Sequence, residues 1–193
     1  YLYELKMTLT PEVKNTKIHF LFCSITNKEK METIFEQHQP ELVFHAAAYK
    51  HVPLMEENTD QAIHNNVYGT KITADVASQF GVNKFVLIST DKAVNPSSMM
   101  GASKRAAEAV CVAFDSLTET RFTIVRFGNV LGSAGSVVPL FARQIAEGGP
   151  VTVTDPEMKR YFTTVREAVE LVLSAAALGD DAYQKQEGRI FVL

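Results

Sequence analysis

The chain has 193 residues, 46% hydrophobic and 21% charged, proportions that suit a globular protein with a buried core and exclude disordered, collagen-like or low-complexity structure. Nineteen Lys and Arg against 22 Asp and Glu leave a formal net charge of -3, so no overall positive field draws nucleic acid or an anionic membrane surface, and any anion must be bound locally. Length alone admits a complete small domain or a piece of a larger one, since domains usually hold ~100–200 residues.

Leu2, Leu5 and Leu9 recur at helical spacing, so the chain opens inside a helix. Thereafter short β-branched or aromatic runs alternate with longer stretches of helical period, the pattern of βαβ units and a parallel sheet. Strands are expected at 18–23, 42–46, 84–89, 122–127, 151–154 and 190–193, and helices at 28–38, 60–79, 103–116, 138–147 and 165–178. Several of the strands are apolar throughout, as befits strands covered on both faces. In the helix at 60–79, Ile63, Val67 and Ala74 keep one face apolar, and Gly81 stops it. The fold class expected is α/β with a doubly wound parallel sheet. Such a sheet normally opens with strand, glycine-rich turn and helix, but nothing here matches G-x-G-x-x-G after a strand. Repeats, charge blocks and a Pro/Gly-rich linker are all missing, so the chain reads as a single domain over 1–193.

Cys23 and Cys111 lie far apart with no C-x-x-C pair, which excludes a disulfide framework and a structural zinc site. Both read as buried small hydrophobes, and no metal-ligand spacing occurs elsewhere. No run reaches the ~18 apolar residues of a membrane span, and no basic region followed by an apolar one opens the chain, so this segment reads as cytosolic in character.

Five segments carry possible chemistry. At 42–53 an apolar strand ends in Ala46, Ala47 and Ala48, small enough for close approach of a ligand, followed by Tyr49, Lys50 and His51 at the sheet edge where open α/β folds bind ligands. The alanines read equally as packing, and the charges as solvated loop residues. The strand at 84–89 runs into Ser89, Thr90, Asp91 and Lys92, where a carboxylate beside an ammonium serves acid/base work or simply caps a turn. Met100 and Lys104 stand at i and i+4 of an incoming helix, which alone is an ordinary helix start. Arg126, Gly128, Asn129, Gly132, Ser133 and Gly135–Ser136 can wrap a phosphate or diphosphate through backbone N–H groups. Lys159 and Arg160 reach the same anion or are a surface pair.

In order, F-H-A-A-A-Y-K-H-V-P-L-M-E at 44–56, N-V-Y-G-T at 66–70, S-T-D-K-A-V-N-P at 89–96, M-G-A-S-K-R at 100–105, R-F-G-N-V-L-G-S at 126–133 and P-E-M-K-R-Y-F at 156–162 resemble an extended short-chain dehydrogenase/reductase, specifically the CapD-like polysaccharide biosynthesis family of nucleotide-sugar 4,6-dehydratases. The resemblance implies a Rossmann-like sheet truncated by at least the ~30 residues of its N-terminal βαβ unit, with part of the substrate region from about residue 128 onward. It implies a UDP-linked amino sugar, UDP-N-acetylglucosamine foremost, and NAD or NADP as cofactor. C4 is oxidised, water is eliminated across C5 and C6, and the hydride returns to C6. Lys92 would take the C5 proton, Asp91 would protonate the departing C6 hydroxyl, and Thr90 would orient the C4 hydroxyl. Lys104 would reach the nicotinamide ribose. Ser24, Ala46, Ala47, Ala48, Lys50, Asn66 and Ser89 complete the implied cofactor site. Lys50, His51, Arg126, Asn129, Ser136, Val137, Val138, Lys159 and Arg160 form the implied substrate site.

Two departures stand out. Most of the superfamily has a catalytic tyrosine in Tyr-x-x-x-Lys, where this chain has Met100, which accepts no proton. Methionine there resembles the longer, membrane-tethered dehydratases and places the acid/base work on Thr90, Asp91 and Lys92. Around Ser24, relatives show Gly-Asp, so an adenine contact would fall to the Ser24 hydroxyl. The resemblance further implies a homo-oligomer, a cytoplasmic catalytic domain and a parent tethered to the inner membrane through a segment outside this chain, with little activity from the fragment alone. A UDP-sugar 4-epimerase and a non-catalytic sugar-nucleotide-binding module are the alternatives.

Overall fold

The computed structural model describes residues 2–12, 16–133, 136–178 and 189–193. Strands β1 (Leu42–His45), β2 (Lys84–Thr90), β3 (Arg121–Phe127) and β6 (Arg189–Val192) form one parallel sheet in the order β1-β2-β3-β6. A second sheet pairs β4 (Asn129–Val130) with β5 (Phe162–Thr163). The helices are α1 (Leu2–Glu12), α2 (Lys28–His38), α3 (Val52–Glu57), α4 (Thr59–Ile63), α5 (Gly69–Gln79), α6 (Met99–Leu117), α7 (Val137–Ala146) and α8 (Val165–Ala177).

Alternation along β2 explains the layers. Phe85 and Leu87 point to one face, where Phe122, Ile124, Met31, Phe35, Ile72, Val76 and Cys111 join them, so α2, α5 and α6 cover that side. Val86 points to the other, with Val125, Leu171, Val172 and Ala175, so α8 covers it. Full burial of each large apolar side chain stabilises the fold by ~1.5–3 kcal/mol, and Phe85, Leu87, Phe122 and Ile124 are almost wholly buried. Helices on both faces of a parallel sheet make this an α/β, Rossmann-like fold. Local chemistry sets the helix starts. Asn27 Oδ1 accepts from Lys30 N at the head of α2, and Ser98 Oγ accepts from Gly101 N at the head of α6. Thr164 and Glu167 form a reciprocal capping box on α8.

Four expectations are corrected. Residues 18–23 adopt no regular secondary structure and pair with no described strand, and Leu21 and Phe22 stand exposed. The segment 151–154 likewise lacks a ladder; the second strand pair is instead β4 with β5, too short to betray itself by alternation. Gly128 permits that pairing, since a Cβ there would lie 2.8 Å from the Tyr161 carbonyl oxygen. Residues 59–79 are helical throughout, but a π-helical turn at His64–Tyr68 separates α4 from α5. The extra residue in that turn shifts the buried face, leaving Ile63 half exposed and turning Ala62, Asn66 and Thr70 inward. Finally, Cys23 is only half buried and donates to the Ser24 carbonyl, whereas Cys111 is fully buried. Among the described residues no His, Cys, Asp and Glu group could hold a metal ion, and no helix is long and apolar enough to cross a membrane.

Candidate active site

The C-terminal ends of β1, β2 and β3 open onto one cleft of about 510 Å³. Ala46, Ala48, Lys50 and His51 line it from the end of β1, Ser89, Thr90 and Lys92 from β2, and Phe127, Gly128 and Asn129 from β3. Met100 and Lys104 enter from α6, and Ser136, Val137, Arg160 and Phe162 close the far side. Segments far apart in the chain thus converge where an open parallel sheet binds its ligands.

At the centre lies a polar cluster. Lys92 Nζ donates to Asp91 Oδ1 at 2.9 Å and to Asn129 Oδ1 at 3.3 Å, and Thr90 Oγ1 donates to the same Asp91 oxygen at 2.8 Å. Asp91–Ala93 is a single 3-10 turn capped by the Thr90 hydroxyl, and it sets the Asp91 carboxylate beside the Lys92 amine. Gly101 fixes its depth, because a Cβ at that position would collide with the Lys92 carbonyl oxygen. Only a glycine lets the first turn of α6 approach so closely.

Lys104 is nearly buried and its Nζ donates to the Ile88 carbonyl at 2.5 Å. Burial pushes its pKa down from 10.5 to about 8, against weaker attraction from Cys111 and Glu108. Met100, one turn earlier on the same face, is 6% exposed and packs with Met55, Ala62, Val52 and Met99, so it is both a cleft wall and a core residue. His45, just below the alanines, shares a 2.9 Å hydrogen bond with Thr70 Oγ1, which itself donates to the Asn66 carbonyl. That leaves His45 Nε2 as the donor. Burial, with Lys104 adding to it, depresses the ring's pKa to about 3 and keeps the imidazole neutral. Ser136 Oγ is buried with no hydrogen-bond partner among the described residues, on a residue that lines the cleft.

Several expected contacts fall elsewhere. Arg126 does not line the cleft: its Nε and Nη2 donate to Glu108, at 2.8 and 2.5 Å, because a buried guanidinium needs a buried carboxylate. Asn66 is also withdrawn from the cleft. Its amide accepts from Tyr49 N at 2.7 Å and donates to Tyr49 O at 3.0 Å and Ser103 Oγ at 3.1 Å, so it holds the loop rather than a ligand. Ser89 lines the cleft but donates its hydroxyl to Glu108. Ser24 is exposed in the turn before α2, hydrogen-bonded to Thr26 Oγ1 and outside the cleft lining. Ala47, Val138 and Lys159 are exposed beside the cleft lining rather than in it. Gly135 lies outside the described residues. Two residues that sequence reasoning passed over, Gly101 and Glu108, prove central to the geometry. Glu108 had a signal: a carboxylate four residues beyond Lys104, set in the otherwise small and apolar stripe of α6.

Comparison with known proteins agrees with this fold. The family described as polysaccharide biosynthesis protein matches residues 1–193. The capsular polysaccharide biosynthesis protein CapD of Staphylococcus aureus is 53% identical over 174 residues, 90% of this chain and 28% of its own length. A UDP-N-acetylglucosamine 4,6-dehydratase (inverting) of Campylobacter jejuni is 36% identical over 89% of this chain and 52% of its own length. A UDP-glucose 4-epimerase of Rickettsia canadensis is 38% identical over 93% of this chain and 51% of its own. Among solved structures, Pen from Bacillus thuringiensis superposes with a TM-score of 0.88 at 34% identity, over 99% of this chain and 58% of that one. DesIV of Streptomyces venezuelae, a dTDP-glucose 4,6-dehydratase solved with NAD, shares the fold with a TM-score of 0.84 at 19% identity, over 97% and 61% of the two chains. The chain therefore spans between about a quarter and about half the length of these curated relatives. With the parallel sheet, the cleft at its C-terminal edge and a family match from end to end, the chain belongs to the polysaccharide biosynthesis protein family.

Proposed function

We propose that this chain is the catalytic part of a nucleotide-sugar 4,6-dehydratase that acts on UDP-N-acetylglucosamine or a closely similar UDP-sugar in the synthesis of surface polysaccharide. The observation that carries the reading is the hydrogen bonding that links Thr90, Lys92 and Asn129, which line the cleft together with Met100 and Lys104, to Asp91, whose carboxylate accepts from both Thr90 and Lys92. The small side chains of Ala46 and Ala48 beside the buried Lys104 ammonium fit the nicotinamide ribose of NAD or NADP. When bound, that cofactor supplies an acceptor for the C4 hydride and later its donor to C6.

The residues of the chain do the rest. Thr90, already a donor to Asp91, orients the C4 hydroxyl and passes its proton on to the Asp91 carboxylate as the hydride leaves C4. Once C4 is a ketone, the adjacent C5–H is acidic, and Lys92 in its neutral form removes that proton. The C5–C6 double bond forms as the C6–O bond breaks, and Asp91 in its protonated form gives the departing hydroxide the proton that makes it water. Hydride delivery to C6 and return of a proton to C5 leave a 4-keto-6-deoxy sugar, so the net change is loss of one water. Asn129 steadies the Lys92 amine, and Lys50, His51 and Arg160, which line the same cleft, would pair with the diphosphate.

Met100 supports elimination over epimerisation, because the epimerase chemistry of this superfamily uses the tyrosine that this position lacks. We further place the catalytic part at the cytoplasmic face of the inner membrane, in a self-associated parent protein. The test is incubation of the intact protein with NAD or NADP and UDP-N-acetylglucosamine, read by mass. A product lighter by one water supports the dehydratase reading. An isomer of unchanged mass would establish epimerisation instead, and an untouched substrate that nevertheless binds would establish a non-catalytic module.

A further inference from the structure

Glu108 lies in the middle of α6, 1% exposed. Its Oε1 accepts from Ser89 Oγ at 2.5 Å and Arg126 Nε at 2.8 Å, and its Oε2 accepts from Arg126 Nη2 at 2.5 Å and Arg105 Nη1 at 3.1 Å. Burial alone would raise the carboxyl's pKa, but the bonds from Arg126 and Ser89 outweigh it and hold the group ionised.

The location of this network matters more than its strength. A buried ion pair is seldom a better stabiliser than apolar residues of similar volume, so its presence at one particular place calls for another reason. Ser89 and Arg126 are register partners across β2 and β3, and the next pair, Thr90 with Phe127, is the last of the ladder. Beyond it the two chains separate, one into Asp91 and Lys92, the other into Gly128 and Asn129. The contact that rejoins them is Lys92 Nζ to Asn129 Oδ1 at 3.3 Å. Glu108 is thus a tie from α6 to both strands at the point where backbone pairing ends, and α6 also carries Met100 and Lys104, at positions i-8 and i-4 on the same side.

We propose that Glu108 is a positioning residue, fixing the ends of β2 and β3 against α6 so that the Lys92 amine meets the Asn129 amide beside Met100 and Lys104. Its effect on turnover rests on the dehydratase reading; its effect on Lys92 does not. The test replaces the ion pair by apolar groups, Glu108→Leu with Arg126→Met, in the intact protein, a change that orphans no buried charge, since Arg105, the remaining cation of the network, is more than half exposed. A misplacement of ~1 Å at a reacting group costs ~100-fold in rate. The expected result is therefore a kcat lower by about that factor, with KM for the UDP-sugar within ~3-fold and a melting temperature close to that of the parent. In parallel, an amine-reactive reagent should modify Lys92, read from the mass of its peptide, several-fold faster than in the parent.

Unchanged kcat and unchanged Lys92 labelling in the folded double variant would overturn the proposal, since Glu108 would then only neutralise Arg126. A fall in kcat matched by an equal rise in KM, with labelling unchanged, would overturn it as well. Should the double variant fail to fold, Glu108→Asp, which keeps the charge and withdraws it by one methylene, must show the same two changes on a smaller scale or the proposal falls. If the parent makes no product from any UDP-sugar, the dehydratase reading fails, and the labelling rate alone decides the role of Glu108.

Discussion

Lys104→Met tests the electrostatics of the cleft most directly. Burial lowers the Lys104 pKa from 10.5 to about 8, so the unfolded chain binds the proton more tightly than the folded one. Above about pH 10.5 the amine is neutral in both states and has no electrostatic effect. As pH falls towards 8 the unfolded chain gains the proton first, and stability declines. Below about pH 8 the folded chain carries the charge too, and the full penalty remains, ~3 kcal/mol at ~1.4 kcal/mol per pH unit. Methionine has similar length and no charge, so it removes this term. It also leaves the Ile88 carbonyl without the Lys104 donor, a loss of ~1–2 kcal/mol at every pH.

The variant should therefore match or exceed the parent in stability near pH 7 and fall below it near pH 10, although it loses the group assigned to the nicotinamide ribose. The assay is urea denaturation of both proteins at several pH values across that range, comparing midpoints so that every other titrating group cancels. The gap between them should swing by ~2–3 kcal/mol in total. A gap that stays constant with pH would refute the reasoning, because it would mean that the Lys104 ammonium is not desolvated by the fold.

Lys92→Ala should abolish product, whereas Met100→Ala should retain measurable turnover; equal losses would show that the proton-transfer role is misassigned, and the product mass assay measures both. Gly101→Ala drives a Cβ into the Lys92 carbonyl and to 3.1 Å from Pro96 Cβ. It should lower stability by ~1–3 kcal/mol in denaturant titration, and turnover with it. Asn66→Ala strips Tyr49 of both backbone partners. A loss of ~1–3 kcal/mol is expected by thermal melting, with a raised KM for the UDP-sugar as the loop bearing Lys50 and His51 loosens.

Much of this architecture was legible in the sequence. Apolar runs such as 84–89 declare a strand buried on both faces, and the spacing of Met100 and Lys104 does place both in one cleft. The failures share a cause, since periodicity records which residues are apolar and not which partners they meet. Leu21 and Phe22 have the composition of a strand, yet no described strand pairs with them. Arg126 has the chemistry of a phosphate ligand, yet a carboxylate 18 positions earlier claims it. Asn66 sits in a motif that resembles a cofactor site, but its amide is spent on Tyr49 and Ser103. Such pairings depend on contacts remote in sequence, which no local pattern encodes.

The π-helical turn at His64–Tyr68 constrains how this segment can change in length. A π turn accommodates one residue more than the α-helical hydrogen-bond pattern would. Deleting a single residue there would restore regular α-helical bonding between α4 and α5 and locally improve the helix. It would also rotate everything on one side of the deletion by ~100° relative to the other. Asn66 would swing away from Tyr49, or Thr70 from His45, and the alanine-lined end of β1 would lose its support from behind. Helix regularity and an ordered cleft are therefore competing demands on these few residues, and a length variant that perfects the helix should be the one that disorders the cleft.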